Sequence, residues 1–313
     1  MKRTLLEDAA KTIFWPECHR RIYRDIDRFS RPETLEVAMV VSLAMCGSYG
    51  PAVDDINRFV AIASRKIQQY DVQMMFVERP LVESLLRSEP PGEIDWRDVH
   101  LPFPAAAIML PRNVIRTRSG AAVPFVAYAR VLPGDVLELP GYDMPVRIEN
   151  DGLIMFTSLY DVEPERTLAV YLDSRSVRTV GEACRLNIPG LDEEGTLDMP
   201  DNDGEIVRLL TRLVFSLSLA LSARPEIGDL RADRELQSGR HKRSGLPIYE
   251  PRIIGRNYLV KRLNYAADGG HGTPKRPHWR RGHFRSQPFG PAAERRYKTI
   301  WIEPVFVSGS MKS

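Results

Sequence analysis

Six short apolar runs, at residues 106–110, 123–131, 136–139, 146–148, 153–159 and 168–172, follow one another between Pro- and Gly-bearing breaks. Short runs rich in β-branched and aromatic side chains read as strands. Pro133-Gly134-Asp135 and Asn150-Asp151-Gly152 supply the φ values that tight connections need, so hairpins in a mainly antiparallel sheet are expected. Residues 205–223 follow with helical spacing and apolar side chains on nearly every face, among them Leu209, Leu213, Phe215 and Leu219. A helix with so little polar surface has to be covered, and the sheet is the only large apolar surface the chain offers it. The fold expected is therefore α+β.

The stretch before the sheet has a different period. Apolar positions recur at three and four over 31–45, which Cys46-Gly47 and Gly50-Pro51 stop, and again over 53–67, where Asp54 and Asp55 complement the helix dipole. A weaker helix is expected over 76–86, and Pro90-Pro91-Gly92 marks the change of pattern. Strand patterns return at 252–264, 279–285 and 299–307, the last two spaced to pair antiparallel. The division expected is a helical region at 1–92, an α+β domain at 93–230 and a basic β element at 231–313 that ends in a hairpin.

Charge sharpens that division. The chain's net charge of +3 hides an asymmetry: residues 231–313 hold 18 Lys/Arg against 6 Asp/Glu. Such an imbalance is the footprint of nucleic-acid binding, and equally of docking on an acidic surface. The acidic loop at 192–203 is the internal counterpart for the second reading. Three cysteines, Cys18, Cys46 and Cys184, odd in number and far apart, argue against a disulfide framework and fit a reducing cytosol. The N-terminus turns acidic before an apolar core can form, so no secretory signal is expected. The longest apolar segment, 209–221, is interrupted by Arg212 and is shorter than a bilayer span, so no membrane partner is expected.

The densest chemistry lies in His278-Trp279-Arg280-Arg281-Gly282-His283-Phe284-Arg285. On a regular strand Arg281, His283 and Arg285 share one face, and Arg280 and Phe284 the other. Gly282 marks either a bulge or a close approach by another backbone. An imidazole flanked by guanidinium groups is what metal-independent phosphodiester cleavage needs. His283 is then the acid or base, Arg281 and Arg285 the phosphate clamp, and His278 or Arg280 the second proton carrier. Lys275, Arg276, Arg295 and Arg296 extend the basic surface, and Trp279, Phe284, Phe289, Tyr297 and Trp301 supply rings for stacking bases or for packing. The spacing of His271, His278 and His283 lacks the carboxylates or cysteines of a metal shell, and no metal or cofactor is expected. Nucleotide-binding, zinc-protease and serine-hydrolase signatures do not occur.

The box His278-x-x-Arg281-Gly282-His283-x-Arg285, with Trp301 after it and Leu101-Pro102-Phe103-Pro104 before, resembles the terminal H-x-x-R-G-H-x-[RK] box of a large group of uncharacterised proteins from bacteria, phages and mobile elements. The resemblance implies that Arg281, Gly282, His283 and Arg285 act as a unit and that the protein is associated with mobile elements or phage conflict. It implies no reaction. Together these readings predict a cytosolic nucleic-acid-binding protein, RNA favoured over DNA, with a ribonuclease as its catalytic form. The alternative is a non-enzymatic module whose basic end docks an acidic partner or the chain's own acidic body.

Overall fold

The computed structural model describes residues 28–30, 33–70, 72–159, 166–186, 203–228, 252–264, 277–291 and 295–308. In chain order these form α1 (Glu33–Tyr49), α2 (Asp55–Gln69), β1 (Met74–Val77), α3 (Arg79–Leu86), β2 (Ser88–Glu89), β3 (Ala105–Met109) and β4 (Phe125–Val131). There follow β5 (Val136–Leu137), β6 (Val146–Arg147), β7 (Gly152–Leu159), β8 (Arg166–Asp173), α4 (Val180–Ala183) and α5 (Asp203–Ala223). The C-terminal part supplies β9 (Arg252–Ile254), β10 (Lys261–Asn264), β11 (His278–Arg280), β12 (Gly282–Phe289), β13 (Arg296–Ile302) and β14 (Val305–Ser308). The architecture is α+β, with N-terminal helices and a central sheet.

The sheet runs β8-β7-β4-β3-β1-β9, antiparallel from β8 to β3 and parallel from β3 to β9. Both of its faces are covered, which explains why its strands read as unbroken apolar runs. Ala105, Ala107, Phe125, Ala127 and Phe156 face one cluster with α1 and α2; Ala106, Ile108, Val126, Tyr128 and Met155 face another with α3 and α5. The alanines leave room for α2 to lie close on the sheet. Each large side chain buried this way, such as Phe125 or Phe156, stabilises the fold by about 1.5–3 kcal/mol.

The helix ends follow the sequence. Asp54 caps α2 by accepting from the Asn57 backbone N–H at 2.9 Å. The α5 helix is the covered helix its composition demands. By length and composition Thr34–Ala52 and Asp203–Ala223 would both pass as bilayer spans, and 72% of the latter's apolar window is spent inside the protein. Its Arg212 is used locally, Nε donating to the Ser88 carbonyl at 3.1 Å.

Three expectations change. The strands flanking Pro133-Gly134-Asp135 and Asn150-Asp151-Gly152 do not pair with each other: β4 pairs with β3 and β7, and β5 with β6. Residues 76–86 are not one helix: Met74–Val77 is a buried strand, and α3 begins only at Arg79 with Pro80 in its first turn. A short apolar run cannot be told from a helix by period alone, whereas Pro80 fixes where the helix starts. The strand expected over 252–264 is two strands, β9 and β10, separated by a turn at Gly255, whose φ of +82° favours glycine.

Candidate functional site

The two C-terminal strand patterns pair antiparallel, as their spacing predicts, but each is broken once. His278 pairs with Val307 in one ladder and His283 with Ile302 in the next, in a single continuous register. No residue has been inserted, so Gly282 is not a bulge. It is the close approach. A Cβ on Gly282 would stand 2.6 Å from Pro304 Cδ and 2.8 Å from Pro304 N. Pro304 brings no N–H to a ladder, so pairing lapses there and the long hairpin passes from the sheet β10-β14-β11 to the sheet β13-β12-β2.

The base of the β12–β13 hairpin is anchored by groups distant in sequence. Gly282 and His283 pair in parallel with Ser88 and Glu89. Trp301 Nε1 donates to Ser88 Oγ at 3.0 Å, and Ser88 Oγ donates to the Ser84 carbonyl at 2.9 Å. Phe284 and Tyr258 both stack on the Trp301 ring, at centroid distances of 5.8 and 5.7 Å. Burial pushes the Tyr258 phenol above its ordinary range. Phe284 and Trp301 are therefore core, and of the two roles expected for Phe284, stacking or packing, its burial fits packing.

Beyond the base the hairpin has two faces, because directly paired residues share one. His283 with Ile302, Arg285 with Ile300, Gln287 with Lys298 and Phe289 with Arg296 line the first; Ser286 with Thr299 and Pro288 with Tyr297 continue the second. Each row of the first face carries one cationic or imidazole side chain able to meet an anion: His283, Arg285, Lys298 and Arg296 from base to tip. All four are exposed. Successive rows stand about 6.8 Å apart. Neither Arg285 nor Arg296 has a carboxylate partner among the described residues. Lys298 Nζ lies 5.9 Å from the centre of the Phe289 ring.

The other sequence-derived candidates divide. Arg281 belongs to neither ladder and pairs with Glu89, both exposed. His278 and Arg280 are exposed on β11, on the even-numbered side of the register with Phe284, so alternation does not bring them onto the His283 face. Trp279 is half-buried, with the Arg87 guanidinium 4.4 Å over its ring and Phe306 at 5.3 Å, a packed position rather than an open stacking surface. Arg295 is exposed beside Arg296. Lys275, Arg276 and His271 lie outside the described residues, as does the acidic loop apart from Asp203, which pairs with Arg166. Lys298 was missed by sequence reasoning, although carrying the period of two back from the tip would have found it.

Chemically, this is an open cationic ladder rather than an enclosure. It can hold a linear anion, and it has no walls to exclude water from a reacting atom. A cleft of about 260 Å³ near the hairpin base is lined by Arg224, Arg256, Tyr258, Lys261 and Glu303, and contains none of the ladder residues. Among the described residues no three His, Cys, Asp or Glu side chains converge to hold a metal. A protein-family model described as AcrVA2-like, anti-CRISPR type V subtype A2 family, matches residues 75–309, from β1 through the last strand. No curated protein matches the chain.

Proposed function

The chain belongs to the AcrVA2-like anti-CRISPR family, and from that premise we propose that it acts in the cytosol in phage conflict by binding nucleic acid through the cationic face of its C-terminal hairpin. RNA-guided effectors carry their nucleic acid in basic channels of their own. A cationic ladder on an antagonist is therefore matched to the RNA of such a complex and repelled by the channel that holds it. The observation that carries the reading is the succession Arg285, Lys298, Arg296 in consecutive rows of one exposed face, the two arginines without a carboxylate partner among the described residues. Cleavage is the finer form of the reading: His283 sits in the row next to Arg285, where an acid or base would meet a clamped phosphate.

The test is to titrate labelled RNA and single-stranded DNA of equal length with the protein in EDTA across a salt series. Three phosphate contacts predict that log K falls with log salt at a slope of about −2, with RNA bound more tightly than DNA. The Arg285→Ala/Lys298→Ala/Arg296→Ala variant is expected to lose most of the affinity and the slope. RNA cut by the wild type and left intact by His283→Ala would establish the ribonuclease. Binding without cutting would reduce the function to binding, and no binding of either polymer at low salt would defeat the reading. In that last case, binding of an acidic peptide would move the function to protein docking.

A further inference from the structure

The faces of the hairpin specify which nucleic acid the ladder fits. Resting on the reading just given, we propose that it takes a single strand in extended form, about four nucleotides long, with one base stacked on Phe289. The first argument is pitch. One cationic or imidazole side chain per row, over four rows about 6.8 Å apart, repeats at the span of one extended nucleotide unit. An A-form duplex, by contrast, is read across its minor groove by shape. A single strand is free to adapt its backbone to these rows.

The second argument is the ring at the end of the ladder. Phe289 pairs with Arg296 and so stands on the cationic face, 43% exposed, with Lys298 Nζ 5.9 Å from its centre. Among the described residues it is the only phenyl, phenol or indole ring on that face of the hairpin. Tyr297 is more exposed, at 64%, but its partner is Pro288 and it points to the opposite face. An exposed ring between two cations is the arrangement on which an unpaired base stacks while its phosphates are held, and a base inside a duplex cannot reach it.

The experiment compares an oligo(A) RNA, a fully abasic strand of the same length and charge, and the corresponding RNA duplex, by fluorescence anisotropy at one low salt concentration. The wild type is expected to bind oligo(A) about tenfold more tightly than the abasic strand, as one stacked base predicts, and more tightly than the duplex. Phe289→Ala should bind both single strands equally, at the affinity the wild type shows for the abasic one, which also demonstrates that the variant is folded. Tyr297→Ala should retain the wild-type preference. Equal binding of oligo(A) and the abasic strand by the wild type, preference surviving in Phe289→Ala, or a duplex bound as tightly as oligo(A) would each overturn the proposal. The charge-based reading survives those three results provided the Arg285/Lys298/Arg296 triple variant abolishes binding. Failure of every probe to bind overturns both.

Discussion

At Gly282 a single missing side chain decides whether the cationic hairpin can join the body. The backbone of Pro304 and the Ser88 side chain fill the space a Cβ would need, and the proline ring cannot rotate away. Gly282→Ala should therefore cost about 1–3 kcal/mol by overpacking, measured as a lower urea midpoint at unchanged m. A midpoint equal to wild type would show that the hairpin crossing is not close-packed. Residues far from the site make a second prediction. Burial, the largest cause at both positions, pushes the thiols of Cys46 and Cys184 from 9.0 to about 11. In a Cys18→Ser background at pH 8, iodoacetamide should modify them slowly in the native protein and rapidly in urea, because the thiolate is the nucleophile. The thiolate forms more readily in the unfolded chain. The stability tied to keeping these groups protonated is thus complete below about pH 9 and is lost as pH rises toward 11.

Helix α5 is positioned by an ion pair its apolar sequence does not advertise. Arg166 on β8 meets Asp203 at the first residue of α5, Nε to Oδ2 at 2.8 Å and Nη2 to Oδ1 at 3.0 Å, with only 12% and 1% of the two side chains exposed. Asp203 also sits where the helix dipole favours a carboxylate. Asp203→Ala should cost about 1.5–3 kcal/mol by removing the charged hydrogen bond to Arg166, and the double variant Arg166→Met/Asp203→Leu should recover part of that loss. Equilibrium denaturation of the three proteins decides it; a single variant as stable as wild type would sink the argument. At this scale the sequence was most legible where burial was greatest. Residues 106–110, 123–131 and 153–159 read as strands because both their faces are covered, and 205–223 read as a core helix for the same reason. The strand Met74–Val77 was hidden because a short apolar run carries no period, and its parallel pairing with Ile253 has no local signature at all. In the candidate site the cluster around Gly282 was visible as composition. What each member does depended on alternation carried to the hairpin tip, and on Ser88 and Glu89, which no local pattern links to the box.

Considered whole, the molecule threads its core through segments far apart in sequence. The central sheet takes β1 from before Pro90, the unbroken five-residue apolar run of β3, the longer β4, β7 and β8, and finally β9 from beyond residue 250. The base of the hairpin enters the same core as α3 and α5, through Phe284, Trp301 and Tyr258. The C-terminal hairpin is thus structural at its base and exposed at the described residues toward its tip, and removing the one should differ from removing the other. A chain ending at residue 251 would strip the outer neighbour from β1 and expose Met75, Val77 and the partners of Trp301, an unpaired apolar edge of the kind that aggregates. It should be insoluble, or lack the single coincident transition that circular dichroism and tryptophan fluorescence are expected to show for the whole protein. Replacing only residues 287–298 by a short Gly-containing turn removes Lys298, Phe289 and Arg296 while leaving Phe284 paired with Trp301. That variant should unfold within about 1 kcal/mol of wild type, since no described side chain it gives up is buried, and should lose RNA binding. Retention of full RNA affinity by the shortened hairpin would move the binding surface off the ladder, and loss of the fold would show that the tip, too, holds the core together.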